Sequence, residues 1–101
     1  MKFTIIPSDN RVIIDGIGYT VQQIKIDPMI HAVQWYDSFG EIEYSVTFDG
    51  QAMTKRPNET IHDHAQFDKI LMEWEKSHQQ FLIDSLPSVD KATTSTVLAT
   101  P

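Results

Sequence analysis

The chain has 101 residues, enough for one domain, with 41% hydrophobic and 22% charged residues, the balance of a globular protein. Eight Lys and Arg against fourteen Asp and Glu give a formal charge of −6, which argues against non-specific nucleic-acid binding and against docking on an anionic membrane. Cysteine is absent, so disulfides, thiolate chemistry and Cys-ligated zinc are excluded.

The first half reads as strands. Phe3 to Ile6 is short and β-prone, and Pro7-Ser8-Asp9-Asn10 is a cluster of turn formers. Arg11 to Ile14 follows, then Asp15-Gly16, a dipeptide suited to two-residue hairpin turns because it tolerates positive φ. Tyr19 to Ile26 alternates loosely, with Ile24 and Ile26 on one face, and Asp27-Pro28 ends it. The opening MKFTIIPSDN is too short in apolar residues for a signal peptide, and no stretch approaches a transmembrane helix in length.

The strongest pattern lies between Ile30 and Phe48. Ile30 to Tyr36 places Val33 and Trp35 on one face and Ile30, Ala32 and Tyr36 on the other. After Asp37-Ser38-Phe39-Gly40, Glu41 to Phe48 alternates without error, with Ile42, Tyr44, Val46 and Phe48 opposed to Glu41, Glu43, Ser45 and Thr47. This period of two predicts one unbroken strand with one face on a core and one in water. A second Asp-Gly, at Asp49-Gly50, leads into Gln51 to Thr54, an expected edge strand, and Lys55 to Glu59 marks the shift from sheet to helix.

Asp63 with Gln66 three residues on fits a capping box. Phe67, Ile70, Leu71, Trp74, His78, Phe81 and Leu82 then recur at helical spacing. Leu86-Pro87 stops the pattern, because the residue before proline disfavours the α region. The expected fold is α+β: a small antiparallel sheet of hairpins over residues 1–56, packed on one long helix at about 63–86. Together these make a single domain, 1–86, with 87–101 as an extended C-terminal arm in which only Val89, Val97 and Leu98 are apolar anchors.

Chemistry-bearing residues are present without a catalytic arrangement. His62 and His64 stand two apart, on different sides of a helix, and lack HExxH spacing; a helix start with Asp63 as cap explains them better than zinc. Glu41 and Glu43 occupy the polar phase of a strand, where solvation competes with an acid–base role. Asp15, Asp27, Asp37 and Asp49 read as turn chemistry, and His31 and His78 as residues edging the core. Gly16-Ile17-Gly18 lacks the third glycine of a phosphate loop, and no GxSxG elbow occurs. Trp35, Tyr36, Tyr44 and Trp74 fit a core better than a base-stacking platform, given the acidic chain. No catalytic residue, cofactor or metal site is expected. The helix stripe is rich in large groups relative to so small a sheet, which points to a protein interface formed by Phe67, Leu71, Trp74, His78, Phe81 and Leu82, with Val89, Val97 and Leu98 beyond them.

The run Ile30-His31-Ala32-Val33-Gln34-Trp35-Tyr36, the following Gly40-Glu41-Ile42-Glu43-Tyr44, the later Pro57-Asn58-Glu59 and the opening Arg11-Val12-Ile13-Ile14-Asp15-Gly16 together resemble small proteins of tailed bacteriophages and prophages, encoded near tail and tail-fibre genes. The resemblance covers roughly residues 1 to 75. It implies a non-enzymatic virion component of the tail, present in several copies and touching other tail or tail-fibre proteins, with no nucleic acid or membrane partner. It carries no catalytic residues. A tail-fibre assembly chaperone is the second possibility, and a small ligand-binding module or enzyme using the histidines or Glu41 and Glu43 is the third.

Overall fold

The computed structural model describes residues 1–86. The described residues form an α+β fold: a six-stranded antiparallel sheet, a separate two-stranded ribbon and one α-helix. Strands β1 (Phe3–Ile6), β2 (Arg11–Ile14), β3 (Ile17–Thr20), β4 (Ile30–Trp35), β5 (Gly40–Tyr44) and β8 (Glu59–Ile61) lie in the order β3-β2-β1-β4-β5-β8. Strands β6 (Val46–Phe48) and β7 (Met53–Lys55) pair only with each other. A 3-10 turn, Ala65–Phe67, leads into α1, Asp68–Asp84. The expected arm at 87–101 lies outside the described residues, and so do its anchors Val89, Val97 and Leu98.

The first hairpins follow the sequence closely. A 3-10 turn at Pro7–Asp9 joins β1 to β2, with Asn10 left-handed at φ 49°. Asp15 and Gly16 both take positive φ, 48° and 85°, the geometry of a type I′ turn. The strand expected over Tyr19 to Ile26 is shorter and earlier than the pattern suggested, because its ladder partner runs out at Arg11, opposite Thr20. Past that point Asn10 holds the chain instead: its carbonyl accepts Val21 N–H at 2.8 Å and its side-chain oxygen accepts Ile24 N–H at 3.1 Å. Val21 is buried and Ile24 and Ile26 pack on the core from this irregular stretch, so their alternation reflects burial without a ladder.

In β4 the register shifts between Ile30 and Ala32: Ile30 faces Tyr44, while Ala32 faces Glu43 and Val33 faces Ile42. One extra residue is a β-bulge, and it turns Ile30 to the same buried side as Val33 and Trp35, not the opposite side expected from strict alternation. Gly40, opposite Trp35, is fixed by space: a Cβ there would lie 2.6 Å from the Gln34 carbonyl oxygen and 2.8 Å from the Trp35 ring.

The strand expected over Glu41 to Phe48 is two strands. Beyond Tyr44 the β4 ladder ends, with Ser45 N–H donating to the Met29 carbonyl at 2.7 Å. Val46 to Phe48 then turn back on Met53–Lys55, so Val46 and Phe48 continue the apolar phase of Ile42 and Tyr44 but project away from the core. The edge place beside β5 goes to β8, which takes Glu59 from the end of the expected Lys55–Glu59 connection and adds Thr60 and Ile61, for which no element was expected.

The core gathers one face of the sheet against the helix: Phe3, Ile5, Val12, Ile14, Val33, Trp35, Ile42, Tyr44 and Ile61 meet Phe67, Ile70 and Trp74. Burying a side chain such as Phe67, 1% exposed, stabilises the fold by roughly 1.5–3 kcal/mol. The helix starts later than the expected 63. Asp63 accepts the Ala65 N–H two residues on, an Asx turn in place of a reciprocal capping box, and Phe67 at the N-cap makes no side-chain cap. At the far end Ser85 closes the last turn, its hydroxyl donating to the Phe81 carbonyl at 2.8 Å.

Candidate functional site

Helix α1 lies on β2 and on β3, the strand at the edge of the sheet. His64, just before it, packs edge-on against Trp35 and Phe3, with ring centroids 5.0 and 5.7 Å away. From Trp74 onward the aromatic contacts go to β3. Trp74 Nε1–H donates to the Ile17 carbonyl at 2.8 Å, and its ring meets Tyr19 edge-on at 5.6 Å. His78 stacks on Trp74 at 4.8 Å and its Nδ1 is 2.9 Å from the Tyr19 hydroxyl, while Phe81 reaches the Tyr19 ring at 6.3 Å. The stripe that the sequence presents as a single face is therefore divided. Phe67 and Trp74 are core, Leu71 and His78 are half-buried against it, and Phe81 and Leu82 stand 54% and 46% exposed.

Phe67 and Trp74, expected at an interface, are thus buried in this chain's own core, 1% and 7% exposed. The exposed apolar surface at the helix end consists of Phe81, Leu82, Ile83 and Leu86, and Ile17 of β3, whose carbonyl accepts from Trp74, is 45% exposed as well. Ile17, Ile83 and Leu86 are additions to the residues picked from spacing. A second exposed apolar surface lies on the ribbon, where Val46, Phe48 and Met53 share one side and Thr47 and Thr54 bond across the other at 2.8 Å. An isolated pair of three-residue strands is marginal in water. The sequence signal for it was the alternation itself, which continues past the point where the core ends.

The polar candidates have local partners. Glu43 pairs with Lys55 at 3.3 Å and Glu41 accepts from Asn58 at 3.4 Å, which ties β5 to the segment around β7 and β8. His64 Nδ1 lies 2.8 Å from Asp68, while His62 is exposed. Among the described residues no group of three His, Cys, Asp or Glu is placed to hold a metal ion. Asp27 and Asp49 accept backbone N–H groups of their own turns, and Asp15 accepts that of Lys2, thirteen residues back, at 2.9 Å, whereas Asp37, at φ 96°, binds the amino terminus of Met1 at 2.6 Å, which holds its carboxyl below the usual range. His31 sits at the bulge and is exposed, not at the core edge. Trp35, Tyr44 and Trp74 are buried; Tyr36 is exposed and rests on Phe39 at 5.1 Å.

Tyr44 anchors one further cluster. Its hydroxyl donates to Glu59 Oε1 at 2.6 Å, and the Arg56 guanidinium lies 4.0 Å from its ring centroid. The bond to Glu59 pushes the phenol's pKa up.

Comparison with family models, with curated proteins and with solved structures finds no match to this chain. Among the described residues no helix is long and apolar enough to cross a membrane.

Proposed function

We propose that this chain is a non-enzymatic structural component of a bacteriophage tail, working through protein–protein contacts with larger tail or tail-fibre proteins. The observation that carries the contact role is the distribution of exposed large apolar side chains. Among the described residues seven of the thirteen lie at the end of α1 and on the β6–β7 ribbon, where Phe48 and Met53 are 65% and 67% exposed. The phage setting rests on the resemblance of the Ile30–Tyr36 and Gly40–Tyr44 segments to small tail-region proteins. Many copies in a symmetric tail would make individually weak contacts cooperative.

Mass spectrometry of purified particles tests the assignment. A structural component stays in the finished virion; an assembly chaperone co-purifies with fibre protein from infected cells and is missing from the particle. Deleting residues 88–101 is expected to leave the domain folded, by circular dichroism, and to abolish incorporation. Normal incorporation of the shortened chain would confine the contacts to the described domain.

A further inference from the structure

We infer that the β3 edge and the overhanging end of α1 form a dimer interface whose occupant is a second copy of this chain, joined β3 to β3 in one continuous sheet. The inference goes beyond the tail assignment and stands whether or not the chain belongs to a virion.

The two edges of the sheet differ. The β8 edge is guarded in the way sheets resist unwanted pairing: Glu59 lies within it, Lys55, Arg56 and Pro57 precede it, and His62 and Asp63 follow. Strand β3 reads Ile17-Gly18-Tyr19-Thr20, with no charge and no proline, and among the described residues it is hydrogen-bonded to β2 on one side only. The charge nearest the strand is the Arg11 guanidinium of β2, so close over Gly18 that a Cβ there would lie 2.7 Å from it; no carboxylate belongs to β3, so a chain of net charge −6 meets its copy here without opposing acidic side chains directly across the strands.

The helix supplies the second argument. From Phe81, the last helix residue whose ring reaches Tyr19, to Asp84 the helix runs on for about 4.5 Å, close to the width of one strand in a sheet spaced about 4.8 Å. Strand β3 is the last strand on that side, so the sheet gives Leu82, Ile83 and Leu86 nothing to cover. Antiparallel pairing of β3 with its copy places a two-fold axis perpendicular to the sheet, which keeps both helices on the same face. Each overhanging end then reaches across the seam and packs its exposed turn against the other's. A foreign peptide strand would fill the edge and still leave the outer side of the helix end in water.

Ile17, Phe81, Leu82, Ile83 and Leu86 are each about half exposed, 45–54%, and so have apolar surface left to bury in an interface.

Sedimentation equilibrium of the full chain, from about 1 μM to about 1 mM, tests the proposal. The expected result is a dimer whose dissociation constant rises roughly thirtyfold or more in both Phe81→Glu and Ile17→Lys and is unchanged in Phe48→Glu, with circular dichroism confirming that each variant is folded. A monomer throughout the range overturns it. So does a dimer that survives both interface variants, or one lost in Phe48→Glu, which would place the contact on the ribbon. A full chain that is monomeric beside a chain ending at Leu86 that dimerises overturns it too, by assigning the face to the chain's own residues 87–101.

Discussion

The hydroxyl of Tyr19 and Nδ1 of His78 lie 2.9 Å apart, and this bond joins the edge strand β3 to the second half of α1. Which atom donates depends on the imidazole tautomer, but either arrangement fastens the helix to the edge strand. Tyr19→Phe keeps the ring contacts to Trp74 and Phe81 and removes only the hydrogen bond. It is expected to cost about 1 kcal/mol in urea unfolding and to speed amide hydrogen exchange beyond His78 more than in the first two turns.

The divided stripe makes a sharper prediction. Phe67→Ala removes a side chain that is 1% exposed and leaves a cavity between sheet and helix, for an expected loss of about 3–5 kcal/mol. Phe81→Ala, measured at low micromolar concentration, is expected to cost about 1 kcal/mol or less. Equal losses at the two positions in chemical denaturation would mean that the helix end is packed as tightly as its start.

Tyr44 gives a signature at alkaline pH. Its phenol donates to the Glu59 carboxylate, so the protonated form is favoured in the folded chain and the folded pKa is raised. The associated stability is complete below the ordinary tyrosine value of about 10 and is lost as pH rises through the raised one. Ultraviolet titration at the phenolate band is expected to show one tyrosine ionising late, and Glu59→Gln, which removes the charged acceptor, to bring it back toward the ordinary range.

Asp49 works at the opposite end of the scale. Its carboxylate accepts N–H groups from Gln51 at 2.9 Å and Ala52 at 3.0 Å in the turn of the ribbon. The Ala52 and Gln51 bonds, in that order, hold its pKa below the ordinary value. The stabilisation of the turn is complete above about pH 3.9 and is lost as pH falls through the depressed value. Carbon NMR of the side chain checks this, and the ribbon amides are expected to shift with it. Asp49→Asn should preserve the turn, because its side-chain oxygen still accepts, and Asp49→Ala should not.

Where turn chemistry and strand period agreed, the fold was legible in the residues: Phe3 to Ile6, Arg11 to Ile14 and the Asp15-Gly16 turn stand where the sequence places them. What escaped was set by neighbours distant in sequence. Tyr19 to Ile26 alternates, but whether it forms a strand depends on how far β2 extends beside it. Glu41 to Phe48 alternates perfectly and still breaks at Ser45, because β4 starts at Ile30. Glu59 reads as the end of a polar connection, and Thr60-Ile61 is too short to signal a strand, until β5 offers them an edge. The helix stripe showed which residues are apolar and on one side. It could not show where the sheet stops, and that boundary separates Trp74 from Phe81 as core from surface.

The bulge in β4 leaves the fold with a spare position. His31 is exposed and is the residue by which β4 exceeds its partner between Ile30 and Ala32. Shortening the chain by that single residue would let Ile30 remain across from Tyr44 and Val33 across from Ile42, so the ladder would close up without turning any interior side chain outward. A one-residue deletion is ruinous at most points of a strand; here the sheet already contains the slack to absorb it.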